Sequence, residues 1–182
     1  PVHDADQSVH KLLGTGGGAV DEVGEAFPQS LDGTEINRKK LGALVFGDTQ
    51  KLKRLESILH PKVHRLTQKF LRDQQRVGRK IVALDIPLLF ETKGENRVDL
   101  VFVVSAPLQI QRQRVLARPG MTSERFNLIR NKQTPDRVKR RRADYLIPTG
   151  LGRSVTYKAL KTALLKIKSE NLNSRAFPNK SY

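Results

Sequence analysis

Leu100-Val-Phe-Val-Val104 and Asp144-Tyr-Leu-Ile147 are two short apolar runs, and between them lies the most basic part of the chain, residues 109–142. The runs have the length and composition of buried strands. The segment between them holds eleven Lys and Arg (Arg112, Arg114, Arg118, Arg125, Arg130, Lys132, Arg137, Lys139, Arg140, Arg141 and Arg142) against two acids, Glu124 and Asp136, a local charge of +9. Pro119-Gly120 and Thr134-Pro135 divide it into helical pieces, and Thr122-Ser-Glu-Arg opens one of them with an N-cap signature. Strand, helical excursion, strand is the pattern of an α/β fold with a mostly parallel sheet. Lys80-Ile-Val-Ala-Leu-Asp-Ile86 adds another apolar run, read as a strand covered on both faces, and Pro1–Asp6 reads as the end of a strand emerging into acidic residues.

Between these strands the helical spacing is plain. Helices are expected over Gln7–Leu13, Ala19–Phe27, Asn37–Phe46 and Thr49–Ile58, with Pro28–Thr34 a loop. His60-Pro61 is expected to end the fourth helix, because the residue before proline avoids the α region, and Pro61 then suits the first turn of a helix over Lys62–Val77. Pro107–Arg118 and Ser154–Ser169 read as further helices, and Glu170–Tyr182 as a polar, frayed tail. Residues 1–169 therefore read as one domain, with 170–182 a flexible C-terminal tail.

Composition narrows the chemistry. The 182 residues carry a net charge of +16, which favours polyanionic partners such as nucleotides, nucleic acid or an anionic surface. There is no cysteine, so neither a disulfide framework nor a thiolate metal site can form. His60 and His64 share a helix face, but no third metal ligand accompanies them. No run of about 18 apolar residues suggests a membrane span, and the cytoplasm is the expected location.

Asp4 and Asp6, read in a strand, fall on one face at its carboxyl end, where α/β proteins bind ligands. One carboxylate can accept a proton from an attacking hydroxyl while the other orients it; equally, either can simply cap the next helix. Ile81-Val-Ala-Leu-Asp85 has the form of a strand whose terminal Asp holds Mg²⁺ beside bound phosphates, although many buried strands end in Asp. Gly14, Gly16 and Ala19 match a dinucleotide-binding spacing but follow a helix rather than a strand, so they read as a bend. The 109–142 segment has three readings: a solvated face, a nucleic-acid surface, or a lid that brings guanidinium groups to a transferring phosphate. With aromatics at 5% and no Trp there is no stacking platform, and the position between two strands favours the lid.

Taken in order, His-Asp-Ala-Asp at 3–6, Leu59-His60-Pro61, Asp85-Ile-Pro-Leu-Leu-Phe-Glu91, Gln109–Arg118, Pro119-Gly-Met-Thr122, Gln133, Lys139-Arg140 and Arg142-Ala-Asp-Tyr-Leu-Ile147 resemble dephospho-coenzyme A kinase. The resemblance runs from Pro1 to about Ile167. It implies a P-loop kinase-like parallel sheet with helices on both faces, a helical acceptor-binding part over 7–75 and a helical lid over 109–143. The implied reaction moves the terminal phosphate of ATP, with Mg²⁺, to the ribose 3′-hydroxyl of dephospho-coenzyme A, the last step of coenzyme A synthesis. The implied catalytic acids are Asp6, as base, and Asp4. His60, Pro61, Pro87, Leu88, Leu89 and Glu91 would bind the acceptor. Arg114, Arg118, Lys139 and Arg140 would be lid cations facing ATP, Asp85 would serve the metal, and Tyr145–Ile147 with the turn after it would lie near adenine. A monomer or weak oligomer is expected, with neither membrane nor nucleic acid as partner.

Two departures from the family pattern matter. Pro148 stands where the family usually has Asp or Asn. Family members also open with a strand and a Gly-rich phosphate loop, and no G-x-x-x-x-G-K-[ST] occurs in the 182 residues. That strand is central in P-loop kinases. Each buried backbone group its loss orphans costs roughly 1–3 kcal/mol, against a total stability of about 5–15 kcal/mol. The expectation is a clipped kinase sequence, poorly stable and inactive as written. The rival expectations are a nucleic-acid-binding protein and a non-catalytic relic that holds coenzyme A without ATP.

Overall fold

Three strong helix caps and one apolar helical stripe organise the first part of the chain in the computed structural model, which describes residues 1–170. The expected frayed tail lies, from residue 171 onward, outside the described residues. Packing divides the chain into two compact units, one ending at Pro87 and one beginning at Leu88. No helix among the described residues is long and apolar enough to cross a membrane.

The first unit runs β1 (Val2–Asp4), α1 (Ala5–Leu13), α2 (Val20–Ala26), a 3-10 turn (Pro28–Ser30), a small hairpin of β2 (Leu31–Asp32) and β3 (Glu35–Ile36), α3 (Arg38–Val45), α4 (Thr49–Arg76) and β4 (Ala83–Asp85). Asp4, Asn37 and Asp48 cap α1, α3 and α4, each side chain accepting from backbone N–H groups of the first turn. Leu55, Ile58 and Leu59 of α4 are buried against Leu12, Leu13, Val20, Val23 and Leu41 from the three shorter helices. Gly17 makes the α1–α2 turn possible: a Cβ there would stand 2.3 Å from the carbonyl oxygen of Leu12. That carbonyl accepts the N–H of Ala19, so the bend is tied to the end of α1. β1 and β4 pair in parallel, Asp4 beside Asp85.

The second unit runs through a turn segment with a 3-10 stretch (Gly94–Arg97), β5 (Phe102–Ser105), α5 (Leu108–Leu116), α6 (Ser123–Lys132), α7 (Asp136–Arg142), β6 (Tyr145–Pro148) and α8 (Arg153–Ser169). β5 and β6 pair in parallel from Phe102↔Tyr145 to Ser105↔Pro148. Phe90, Val101 and Val103 form the core of this unit with Leu89, Val98 and Ala143.

Several expectations need correction. The helix does not stop at His60-Pro61: α4 is a single helix with Pro61 inside it. An internal proline forfeits a backbone hydrogen bond and costs about 3 kcal/mol. Each fully buried Leu or Ile returns about 1.5–3 kcal/mol, and the apolar face continues past the proline through Val63 and Leu66, so packing overrides the local break. The loop at 28–34 is in fact a 3-10 turn leading into the hairpin, whose tight turn uses Gly33 at φ 61°. The run at 80–86 is a strand only over Ala83–Asp85, and it is not covered on both faces, because Ala83 and Asp85 are exposed. Asp6 is not on a strand; α1 begins at Ala5, so Asp4 and Asp6 straddle the strand–helix junction. The glycine-rich Gly14–Gly18 stretch is, as expected, a bend between two helices.

Two substitutions test this packing by equilibrium denaturation. Gly17→Ala forces a methyl group onto the Leu12 carbonyl and lowers stability by about 1–3 kcal/mol. Pro61→Ala restores a backbone donor within α4 and raises stability by about 1–2 kcal/mol, part of the helix gain being offset by a looser unfolded chain.

Candidate active site

In the first unit the parallel pairing of β1 with β4 brings Asp4 and Asp85 side by side at the carboxyl ends of the strands, and Asp6 follows in the first turn of α1. Asp4 is occupied structurally, its Oδ1 accepting the N–H of Gln7 at 3.0 Å. Asp6 is exposed in the first turn of α1. No group of three or more His, Asp or Glu among the described residues has the geometry to hold a metal ion. His60 and Pro61 are exposed on the middle of α4.

His3, which the sequence marked only as part of the His-Asp-Ala-Asp motif and gave no role, anchors this junction. His3 Nε2 lies 3.0 Å from Thr67 Oγ1 on α4 and 3.4 Å from Ser8 Oγ on α1. Both hydroxyls already donate their single proton, Thr67 to the carbonyl of Val63 and Ser8 to that of Asp4. The imidazole is therefore the donor, with its hydrogen on Nε2. Its ring packs on Phe70, with 5.2 Å between ring centroids. Burial pushes the imidazole below the ordinary histidine range, against the pull of neighbouring Asp4. Its only sequence signal was its place in the His-Asp-Ala-Asp motif, since in a strand of Val2, His3 and Asp4 periodicity alone cannot tell a packed position from an edge one.

In the second unit the cations fall into two groups. Arg118 and Arg140 are exposed and form no ion pair among the described residues. Arg114 donates to the carbonyl of Thr149 at 2.6 Å, tying α5 to the turn after β6. Lys139 is bound to Glu91 at 3.1 Å, and the same Glu91 oxygen, Oε1, accepts the N–H of Thr134 at 2.7 Å. Burial works to raise the Glu91 pKa; the Thr134 N–H, the residue's own amide and the Lys139 ammonium outweigh it and hold the carboxyl below its usual range.

The far end of α7 is held in the same way. Arg142 pairs with Glu95 and lies over the Phe90 ring, 4.8 Å from its centroid. Asp136, at the start of α7, accepts from the Ser105 hydroxyl at 2.8 Å. Glu95 and Asp136 were missed as partners. The available signal was the spacing of Glu91 and Glu95, one helical repeat apart, opposite Lys139 and Arg142 in the most basic helix. Pro87 and Leu88 are exposed and Leu89 is half-buried. Tyr145, Leu146 and Ile147 line one side of a mainly apolar groove of about 420 Å³, with Val155, Ala159 and Ala163 of α8 opposite. Pro148 closes β6, and its carbonyl accepts from the Thr156 hydroxyl.

Comparison with known proteins gives these features a common setting. A family model described as dephospho-CoA kinase matches residues 1–151. The dephospho-CoA kinase of Mesorhizobium japonicum is 53% identical over 152 residues, which are 84% of this chain and 76% of that protein. The dephospho-CoA kinase of Rhodospirillum rubrum is 53% identical over 169 residues, covering 92% of this chain and 80% of that protein. Among solved structures, TT1252 from Thermus thermophilus superposes with a TM-score of 0.75 at 33% identity, over 92% of this chain and 84% of that one. A dephospho-CoA kinase from Campylobacter jejuni shares the fold, with a TM-score of 0.64 at 24% identity over 94% of this chain and 86% of that one. With a family model spanning most of its length and relatives more than half identical, this chain belongs to the dephospho-CoA kinase family.

Proposed function

We propose that this chain transfers the terminal phosphate of ATP to the 3′-hydroxyl on the ribose of dephospho-coenzyme A. The observation that carries this reading is the family match across residues 1–151, which takes in both the Asp4–Asp6 junction and the basic helices. In the reaction the acceptor hydroxyl oxygen attacks the terminal phosphorus in line with the departing ADP oxygen. A new P–O bond forms as the old one breaks, and the hydroxyl proton leaves to a base.

Asp6 is that base. It is exposed at the carboxyl end of the β1–β4 pair, and it is the acid of the two whose carboxylate is not committed to a helix cap. Asp4 keeps the strand–helix turn in shape and adds negative charge beside the attacked position. His60, Pro61, Pro87, Leu88 and Leu89 serve the acceptor. Arg114, Arg118, Lys139 and Arg140 offset the charge of the triphosphate; Arg is suited to this because its planar fork can bind two phosphate oxygens together. The β6 strand and the turn after it serve adenine.

The family reaction implies Mg²⁺, and the residues of this chain fit it in a limited way. Mg²⁺ keeps several waters and takes only one or two carboxylates beside substrate phosphates, and Asp85 with Asp4 offers that hard-oxygen set at adjacent strand ends. Bound there, the ion would neutralise phosphate charge. The enzyme works in the cytoplasm as a monomer or weak oligomer.

The direct test is ATP-dependent phosphorylation of dephospho-coenzyme A by the protein, followed by the mass of the product. Asp6→Asn is expected to lower kcat by a factor on the order of 10²–10⁴, with both KM values little changed. Asp4→Asn keeps a competent helix cap, so it should fold normally and lose less activity than Asp6→Asn. An Asp6→Asn variant with unimpaired kcat would remove this residue as the base, and a protein that leaves dephospho-coenzyme A untouched would remove the function.

A further inference from the structure

Glu91 and Lys139 form the one ion pair among the described residues in which both side chains are largely out of water, 16% and 18% exposed. In every other pair at least one partner is 40% or more exposed. Such a pair has a geometric purpose more readily than an energetic one, since removing charges from water cancels much of their attraction. We propose that Glu91 is a positioning residue of the nucleotide site, which fixes the start of α7 and the Lys139 ammonium and acts on ATP only through that lysine. The proposal rests on the kinase reading above and deepens it.

The geometry supports a positioning role on three counts. First, Glu91 does not meet a ligand itself in this conformation: Oε1 is taken by Thr134 and Lys139, and Oε2 is covered and without a protein partner. Second, the N-cap of α7 is Pro135, which has no N–H and no capping side chain. The carboxylate of Glu91 supplies from outside the contact that fixes the entry of the chain into α7. Third, an ammonium has three donors, and Glu91 engages one of them. Two remain for phosphate oxygens, on a stem whose rotamers are already restricted, so less freedom is lost when a nucleotide arrives. The Ser105–Asp136 and Glu95–Arg142 contacts hold the two ends of the same helix, so the lysine is presented from a fixed support.

Titration calorimetry of ATP and, separately, of dephospho-coenzyme A into the full chain and its E91Q, K139M and double variants tests this. Gln keeps an oxygen for the Thr134 N–H and loses only the charge, so E91Q should melt close to the parent; should it fail to fold, E91D replaces it. E91Q is expected to weaken ATP about three- to tenfold while leaving dephospho-coenzyme A unchanged. K139M should weaken ATP at least as much, and the double variant no further than K139M alone. Additive losses, a tighter ATP complex in E91Q, or a loss confined to dephospho-coenzyme A would each overturn the proposal, the last by making Glu91 an acceptor contact. A parent chain that binds no ATP overturns it as well. A parent that binds ATP yet phosphorylates nothing overturns the kinase reading instead and leaves the cycle to be judged on binding.

Discussion

A helix with the sequence Asp-Arg-Val-Lys-Arg-Arg-Arg can pack beside a strand only if the charges that face inward find partners. That constraint shapes the second unit. α7 is met along one face by three groups that answer its charge: Glu91 against Lys139, Glu95 against Arg142, and the Ser105 hydroxyl against Asp136. The remaining cations of the helix stay exposed, so one element serves both as a wall of the unit and as a supply of positive charge. The turn segment at 88–97 exists in this form because of it. Lys93 adopts a left-handed φ of 54°, alone among the described non-glycine residues, within the turn that separates the two glutamates.

The first unit is organised by apolar burial instead. Three helices of modest length, each too short to persist alone, gain their stability by closing on the stripe of α4. Asp4 and Asp6 sit where the strand pair ends and α1 begins. Their placement needs little more than a strand of three residues, because α1 is fixed by its cap, by the Gly17 turn and by the packing of Leu12 and Leu13.

Much of this was legible because local signals and tertiary packing agree. Asn37, Asp48 and Thr122 each precede a helix and each caps it. The apolar runs at 100–104 and 144–147 do pair in parallel. Where reading and structure part, a non-local term decides. Pro61 is a helix breaker by every local rule, yet Leu55, Ile58 and Leu59 are buried on one side of it and Val63 packs on the other. The apolar run at 80–86 reads as doubly covered, but each parallel sheet among the described residues has two strands, so Ile81 and Val104 remain exposed. Asp6 looked like a strand residue because period-two spacing cannot reveal that the helix starts one residue after Asp4. The family motifs marked Glu91 and Lys139 separately; only the similar spacing of Glu91 and Glu95 and of Lys139 and Arg142 hinted that residues 48 positions apart would meet.

The tautomer of His3 has a consequence for acid conditions. Its Nε2 hydrogen is already shared by two hydroxyls, so a second proton must land on Nδ1, the far side of the ring. Acidification therefore breaks neither link between the strand and the helices. What it does is create a cation in a place that burial makes unfavourable. With the folded imidazole depressed below its unfolded value, the unfolded chain takes up the proton first, and stability declines as pH falls below the ordinary histidine range. The joint beneath the acid pair is thus weakened by lost hydration while its bonding stays intact.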